Sequence, residues 1–518
     1  MLPDNLGHLF HAALRLIPSH PAVFQDDLVL TFEDLDTRCN QMANALTELG
    51  LRAGERVALM FTNDFRFLES FLGPMRIGAV SVPVNIRMSD EAVSYVIRDS
   101  EARVVIANAA MADRARSLAA GAPSVRHVIL DAPPANGTLE YDELLKSASP
   151  RTTSRVTRAD EVCMQPYTSG STGKPKGVLL THGGQIWNAD VMRKATMRDH
   201  TDRALVAVPL FHKNALIGAV KPTLVAGGSL VILPGFDALA VIAAIERYRV
   251  TYLTGVPAMF KMILAEREAL ARHDVSSVRY AVCGSAEVPE DLADQFNKAF
   301  HAPLAESYGL TEGGPVPLAN TRWGLKKRGS CGMAIPGCDV RLVGDDGETE
   351  VAVNSVGELI TRNPGVATGY WKLPDITARK LRDGWLFTGD LFRRDADGYF
   401  YFVGRQDDMM NVSGENVYPK EVEDILAQHP DICDVYVVPT SHPVKGQVPI
   451  AFIVVRNTSE VTEQEIQRFF LDRGTPYAYP RRVHFVKSVP LSSTGKPDRA
   501  AMKDLARGDF TLTSAPLL

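Results

Sequence analysis

Small, hydroxylated and basic residues are concentrated between Tyr167 and Val178, where the chain reads Tyr-Thr-Ser-Gly-Ser-Thr-Gly-Lys-Pro-Lys-Gly-Val. Glycines allow a backbone to approach its ligand, while successive N–H groups and hydroxyls can surround phosphate oxygens and lysines add positive charge. The run therefore predicts a phosphate-binding loop; the alternative is a flexible solvated loop. The residues predicted to bind phosphate are Thr168, Ser169, Gly170, Ser171, Thr172, Gly173, Lys174 and Lys176.

This loop differs from a Walker A loop. That motif has four residues between its glycines and a Ser or Thr after its lysine. Here Gly170 and Gly173 are separated by Ser171 and Thr172, and Pro175 follows Lys174. The sequence therefore predicts phosphate binding by a different kind of loop.

The elements that position this loop are predicted to form a layered α/β fold, because helical and strand-like apolar spacings alternate along the first part of the chain. Thr31 can cap a helix with Asp34 in the reciprocal position, and Gly50 can end that helix. Strands are predicted at 56–61, 79–84, 102–107, 204–208, 229–233, 250–253 and 278–283, and helices near 65–75, from 90 and at 238–248. The first ~280 residues thus predict a doubly wound sheet.

The pattern changes after about Gly324 to short β runs broken by turns at 344–347 and 395–398, which predicts a smaller antiparallel unit. From about Asp408 a separate α+β module is predicted. Its expected elements are helices at 420–427 and 463–471 and strands at 435–438, 451–455 and 483–489.

Composition narrows the class of protein. The 518 residues, 45% hydrophobic and 23% charged, are typical of a globular protein of two to four structural units. A formal net charge of -5 gives no general attraction for nucleic acid.

The cysteines and the apolar runs indicate the cellular compartment. The six cysteines show no CxxC spacing, which argues against a zinc site or a disulfide framework and fits a reducing cytosol. No run reaches the ~20 apolar residues of a membrane span, and the start of the chain lacks the pattern of a signal peptide. A cytoplasmic protein without a membrane span is predicted, and the sequence is compatible with a homodimer.

The phosphate loop and the motifs that follow it resemble, in order and over nearly the whole chain, those of the adenylate-forming superfamily. This superfamily comprises acyl-CoA synthetases, luciferases and peptide-synthetase adenylation domains. The resemblance implies a large N-terminal domain of stacked sheets, here 1–406, and a small mobile C-terminal domain, here 407–518. It also implies ATP, Mg²⁺ and coenzyme A as ligands.

The resemblance assigns residues to the nucleotide. Tyr308 is expected to stack on adenine, Thr311 to contact phosphate, and Glu312 to help hold Mg²⁺, a cation that prefers oxygen ligands. Asp390 is expected to accept the ribose hydroxyls, with Arg405 as a second ribose or phosphate contact. The remaining nucleotide contacts implied by these motifs are Gly284, Ser285, Ala286, Ser307 and Gly309. For each isolated residue the alternative is an ordinary turn or a surface charge.

Two half-reactions are implied: a carboxylate attacks ATP to give acyl-AMP and pyrophosphate, and a thiol then attacks acyl-AMP to give a thioester and AMP. Lys496, in the motif Pro490-Leu-Ser-Ser-Thr-Gly-Lys-Pro497, matches the catalytic lysine of the first step. Asp407 matches the hinge between domains. Ser413 and Gly414 match the segment that faces coenzyme A in the second step.

The segment Val208–Leu216 bears on which acid is the substrate. Within it, His212 matches a histidine that lies near the substrate carboxylate in the family; the alternative is a structural histidine. Peptide-synthetase domains carry an Asp in this region that holds the substrate ammonium, and this run contains no acid. Lys213 has two readings, a contact with a polar group of the acid or a solvent-facing side chain. The acyl pocket implied by the motifs comprises His212, Lys213, Asn214, Gly218, Gly313, Gly314, Pro315 and Val316.

An ATP-dependent acyl-CoA synthetase for a fatty or aromatic acid is the function that these residues predict, with Lys496, His212, Thr168 and Glu312 as its catalytic residues. Three alternatives stay open: an acyl-AMP ligase that serves a carrier protein, a luciferase-like oxygenase, and a non-catalytic nucleotide-binding regulator. Lys496 argues against the regulator.

Overall fold

A computed structural model describes residues 2–134, 137–152, 155–168, 174–284, 288–289, 291–314, 316–413, 415–442, 445–456, 461–491 and 497–507. Within these residues the chain forms two compact units. The first unit comprises Met1–Val340 and Ile360–Thr388, and the second comprises Arg341–Leu359 and Gly389–Leu518. The predicted boundary at 406/407 falls inside the second unit; it concerns motion and stays a prediction.

The strands between Pro21 and Arg405 are mostly short and buried. They are β1 (Pro21–Gln25), β2 (Leu28–Thr31), β3 (Arg56–Met60), β4 (Val80–Pro83), β5 (Val104–Ala107), β6 (His127–Leu130), β7 (Leu139–Glu140), β8 (Val162–Met164), β9 (Tyr167–Thr168), β10 (Lys176–Thr181), β11 (Arg203–Val206), β12 (Ser229–Ile232), β13 (Tyr252–Gly255), β14 (Tyr280–Gly284), β15 (Leu304–Tyr308), β16 (Leu318–Ala319), β17 (Met333–Ala334), β18 (Asp339–Val343), β19 (Val356–Arg362), β20 (Gly369–Tyr370), β21 (Leu381–Arg382), β22 (Trp385–Arg394) and β23 (Phe400–Arg405).

The helices of the first unit alternate with its strands. They are α1 (His11–Leu16), α2 (Phe32–Glu48), α3 (Arg66–Arg76), α4 (Asp90–Asp99), α5 (Ala112–Ala120), α6 (Tyr141–Ser147), α7 (His182–Ala195), α8 (Lys221–Ala226), α9 (Ala238–Tyr248), α10 (Pro257–Ala265), α11 (Arg267–Arg272), α12 (Leu292–Phe300) and α13 (Pro374–Lys380). Single turns of 3-10 helix lie at Leu6–His8 and Ala109–Met111, and a π-helix spans Asn214–Val220.

Two sheets organise the first unit. One has the order β17-β16-β15-β14-β13-β11-β12-β1-β2, and the other the order β20-β10-β8-β4-β3-β5-β6-β7 with β9 paired to β10. Their inner strands are parallel, and antiparallel strands lie towards the edges. A large cluster of buried apolar residues includes members of both sheets and of α2 and α3. The predicted α/β class is confirmed.

The helix starts follow local capping chemistry. The Thr31 hydroxyl accepts the Asp34 N–H at 3.1 Å, and the Asp34 carboxylate accepts the Thr31 N–H at 2.9 Å, which completes the predicted capping box of α2. Asp237 caps α9, and the αL residue Arg249 follows its end. These local interactions explain why the sequence predicts the bounds of these helices well.

The second unit contains an antiparallel hairpin of β22 and β23 and a last module of strands and helices. This module is formed by β24 (Met410–Val412), β25 (Glu415–Val417), α14 (Pro419–Leu426), β26 (Ile432–His442), β27 (Gly446–Val455), α15 (Glu463–Leu471), β28 (Arg482–Phe485) and α16 (Arg499–Leu505). Its sheet has the order β25-β24-β27-β26, with β28 paired to β27. The α+β module expected from about Asp408 is therefore present. Among the described helices, none has both the length and the hydropathy that crossing a bilayer requires.

Candidate active site

The side chain of Glu312 lies in the turn after β15 and is half-buried. Its Oε1 accepts two hydrogen bonds, one from the Thr168 hydroxyl at 3.3 Å and one from the Tyr370 hydroxyl at 3.0 Å. The Glu312 carbonyl accepts the Ala367 N–H at 2.9 Å. Two separate segments of the chain therefore hold this carboxylate, and the segment that carries Tyr370 also holds the Glu312 backbone through Ala367.

Thr168 ends β9 on the first side of the predicted phosphate loop. It pairs with Lys176 across the β9–β10 hairpin, so the hairpin closes the loop at its base. Lys174 is exposed, with its ammonium 5.7 Å from the centre of the Tyr95 ring. The residues Ser169, Gly170, Ser171, Thr172 and Gly173 lie outside the described residues.

The carboxyl ends of β14 and β15 bring two predicted adenine contacts together. Gly284 pairs with Ser307 in a parallel register. A Cβ on Gly284 would lie 2.9 Å from the Ser307 carbonyl oxygen, so only glycine fits this close approach. Tyr308 ends β15 and Gly309 follows it; both are half-buried, and Thr311 is buried. Ser285 and Ala286 lie outside the described residues.

His212 follows β11 in a turn in which its N–H donates to the Pro209 carbonyl at 3.0 Å. Its Nδ1 accepts the Asn214 N–H at 3.3 Å. A neutral imidazole that accepts at Nδ1 carries its proton on Nε2. This tautomer can present an N–H donor to a carboxylate, which suits the predicted role of His212.

The ammonium of Lys213 donates to the Gly309 carbonyl. The side chain is half-buried and connects the segment before the π-helix to the turn after β15. Its contact with a substrate group stays a prediction, and on the protein its ammonium contacts the predicted nucleotide residue Gly309.

Asn214 and Gly218 contact strand β13. The Thr254 hydroxyl donates to Asn214 Oδ1 at 2.7 Å. A Cβ on Gly218 would lie 2.7 Å from the Thr254 Oγ1, closer than real contacts allow. Glycine at 218 is therefore required by the close packing of the π-helix on β13, whether or not the residue also lines the pocket.

The π-helix is also held by Arg198, which the sequence does not single out. The buried guanidinium donates to the carbonyls of Gly218 and Ala219, the latter at 3.1 Å, and lies 3.5 Å from the centre of the Tyr252 ring. Burial lowers the pKa of Arg198. These bonds satisfy carbonyls of a wide helical turn, a geometry common at functional sites.

Gly218→Ala is expected to lower the free energy of unfolding by about 1–3 kcal/mol, because the new methyl overlaps the Thr254 hydroxyl. Urea denaturation measures this. Gly235→Ala is the matched control, since a Cβ there meets nothing within 4 Å. Thr254→Ala in the Gly218→Ala background is expected to recover part of the loss; no recovery would contradict the proposed overlap.

Gly313 and Gly314 lie beside the loop 363–366. Gly314 has φ +98°, and a Cβ there would lie 2.2 Å from the Asn363 Oδ1. Asn363 also donates to the Gly313 carbonyl at 2.9 Å. Val316 packs against an apolar cluster comprising Val191, Met192, Ile217, Ala319 and Ile335. Pro315 lies outside the described residues.

The other predicted residues belong to the second unit. Asp390 is buried and pairs across the β22–β23 hairpin with Arg405, whose guanidinium lies 3.4 Å from its carboxylate. Asp407 is exposed in a turn of 3-10 helix, Gln406–Asp408. Ser413 has φ +57° and its N–H donates to the Lys445 carbonyl at 3.0 Å. Gly414 and Lys496 lie outside the described residues.

Comparisons with known proteins identify the family of the chain. The family model described as AMP-binding enzyme matches residues 10–371, and the model described as AMP-binding enzyme C-terminal domain matches residues 421–496. The chain belongs to the AMP-binding enzyme family. Its resemblance to the adenylate-forming superfamily is thereby confirmed.

Individual relatives of this AMP-binding enzyme are similar over almost their full length. A feruloyl-CoA synthase of Amycolatopsis is 36% identical over 497 residues, covering 96% of this chain and 98% of the relative. A long-chain-fatty-acid–CoA ligase of Bacillus subtilis is 29% identical, covering 90% and 88%. The crystal structure of the anthranilate CoA ligase AuaEII in complex with anthranoyl-AMP has a TM-score of 0.91 at 28% identity, covering 98% of each chain.

Proposed function

We propose that this AMP-binding enzyme activates an aromatic carboxylic acid with ATP and transfers the acyl group to coenzyme A. The chain is an AMP-forming carboxylate–CoA ligase, since it shares the family and the full length of such ligases. The aromatic class of the acid is the proposed part. It is supported by 36% identity to the feruloyl-CoA synthase against 29% to the long-chain-fatty-acid ligase.

In the first half-reaction a carboxylate oxygen bonds to the α-phosphorus of ATP while the bond to the β-phosphate oxygen breaks and pyrophosphate leaves. We assign the phosphates to the loop beginning at Thr168, the adenine to the turn around Tyr308, and the acid's carboxylate to His212. The Nε2–H tautomer of His212 supports this assignment, because it offers a donor and no repelling lone pair to an incoming carboxylate.

In the second half-reaction the sulfur of coenzyme A bonds to the acyl carbon, the bond between acyl carbon and AMP oxygen breaks so that AMP leaves, and the thiol proton passes to solvent. We assign Ser413 and Gly414 to coenzyme A and Asp390 with Arg405 to the ribose. The Asp390–Arg405 pair supports the ribose role, because the guanidinium stabilises a buried carboxylate that accepts hydroxyls.

Mg²⁺ is assigned to Glu312. The surroundings of this carboxylate fit the ion, since the nearby protein ligands are oxygens of carboxylate and hydroxyl groups, which Mg²⁺ prefers. Bound there, the ion would neutralise negative charge on ATP phosphates. A cytoplasmic location and a homodimer stay predictions of the sequence.

A screen of acids tests the proposal. Acid-dependent pyrophosphate exchange is expected to give a kcat/KM for aryl or aryl-propenoic acids roughly 10-fold or more above that for long-chain fatty acids. Detection of the thioester with each active acid then measures dependence on coenzyme A. Faster exchange with fatty acids would overturn the aromatic assignment. A thioester formed only on a carrier protein would favour the acyl-AMP ligase. Oxygen uptake with supplied adenylate would favour the luciferase-like oxygenase.

A further inference from the structure

Tyr370 contacts Glu312, although it belongs to none of the motifs identified in the sequence. It lies in β20, which pairs with β10 at Val178. Thr168 lies in β9, which pairs with a neighbouring part of β10 at Lys176. The hydroxyls of Tyr370 and Thr168 both donate to the Oε1 of Glu312. The carboxylate is therefore held through one oxygen by donors on two strands that pair with β10.

The two strands share an anchor at the end of helix α4. The Tyr167 hydroxyl donates to the Asp99 carboxylate at 2.6 Å, and the Trp371 indole N–H donates to the Asp99 carbonyl at 2.8 Å. The Lys372 ammonium donates to that carbonyl as well, at 3.0 Å. Burial and the Asp99 carboxylate raise the pKa of Tyr167, which keeps its hydroxyl a donor.

These contacts close a ring. From Asp99 one arm passes through Tyr167 to Thr168, and the other passes through Trp371 to Tyr370; both arms end on Glu312. The Arg56 guanidinium lies 4.4 Å from the centre of the Trp371 ring and packs on the second arm. Because both arms are bonded to Asp99, the segments that carry the two hydroxyls are tied to one residue.

We propose that Tyr370 is a positioning residue that orients the Glu312 carboxylate towards the metal-bound phosphates of ATP. The inference rests on the proposed role of Glu312. A carboxylate with one oxygen held by two donors loses most of its rotational freedom. Its other oxygen is therefore held in one orientation. Partners of this kind around a metal-binding carboxylate typically change metal affinity or activity 10- to 100-fold when removed.

Tyr370→Phe removes the hydroxyl and retains the ring. ATP binding is measured by isothermal titration calorimetry, once with Mg²⁺ and once with EDTA and no divalent ion, in the absence of acid so that no turnover occurs. We expect the Mg²⁺-dependent gain in ATP affinity to fall about 10-fold or more. Affinity for metal-free ATP should stay unchanged.

Two controls separate positioning from a general loss of structure. Tyr401→Phe deletes a comparable phenol, which donates to Asp395 at 3.1 Å in the second unit, and should change neither affinity. Tyr370→Phe in a Glu312→Gln background should have no further effect on the Mg²⁺-dependent gain, because the two residues act through one another. Thermal denaturation of each variant reports its folding.

Equal losses of ATP affinity with and without Mg²⁺ would overturn the inference, as would an additive effect in the double variant. A wild-type enzyme whose ATP affinity ignores Mg²⁺ would also overturn it, while acid-dependent pyrophosphate exchange could still establish the ligase. Conversely, an enzyme that was inactive with every aryl acid but retained the Mg²⁺-dependent difference would refute the proposed substrate class and leave Tyr370 in its role.

Discussion

Lys496→Ala is expected to slow formation of the acyl-adenylate by roughly 100- to 1000-fold, the loss typical of removing one group that stabilises a developing charge. The conversion of supplied acyl-adenylate to thioester should be largely unchanged, because the lysine is assigned to the first half-reaction. Acid-dependent pyrophosphate exchange measures the first step. Thioester formation from synthetic acyl-adenylate and coenzyme A measures the second.

Lys487→Ala is the matched control for this variant. Lys487 is an exposed lysine that precedes the motif in the sequence and belongs to the same unit. Its removal should leave both half-reactions intact. Equal losses of both steps in Lys496→Ala, with normal folding, would contradict the division of labour between the two half-reactions.

Local elements of the fold are readable from the sequence because their signals are local. Helix α15 begins at Glu463 and ends at Leu471, as predicted, since Thr462 and Glu465 form a capping box at its start. The strand predicted at 56–61 is observed as β3, and that at 229–233 as β12. In each case neighbouring residues determine the bounds.

The sheet orders depend on contacts that no local pattern contains. The hairpin of β1 and β2 lies beside β12, in register through Val23 and Leu230. Such parallel pairing joins segments far apart in the chain, so apolar spacing predicts the strands without their neighbours. The π-helix at 214–220 was not predicted either, because seven residues are too few to distinguish its period from that of an α-helix.

The same distinction applies to the site. Residues that carry charge or hydroxyls within a motif, such as Thr168 and Glu312, are found from sequence, and their hydrogen bond joins two predicted residues. Tyr370 and Arg198 were missed because their roles arise from geometry. One donates to a carboxylate 58 residues away, and the other to carbonyls of the π-helix. A search of the sequence for reactive side chains in motifs therefore finds neither Tyr370 nor Arg198.

Asp407→Pro is expected to impair one half-reaction strongly while sparing the other. Proline fixes its own φ near −65° and disfavours a helical conformation in the residue before it. Gln406 occupies a 3-10 turn with Asp407, so the substitution disfavours the observed turn and favours an extended one. If the chain bends here between the half-reactions, only the step that uses the extended form should persist.

The two half-reactions are measured separately, as for Lys496→Ala. Asp407→Ala leaves φ free and should retain both steps. Ala396→Pro is the control for adding a proline to the same unit: Ala396 is exposed at the second position of the turn 395–398, where proline is favoured. Unchanged rates for both steps in Asp407→Pro would remove Asp407 from the hinge, because a residue that rotates between two conformations cannot accept a fixed φ in both without cost.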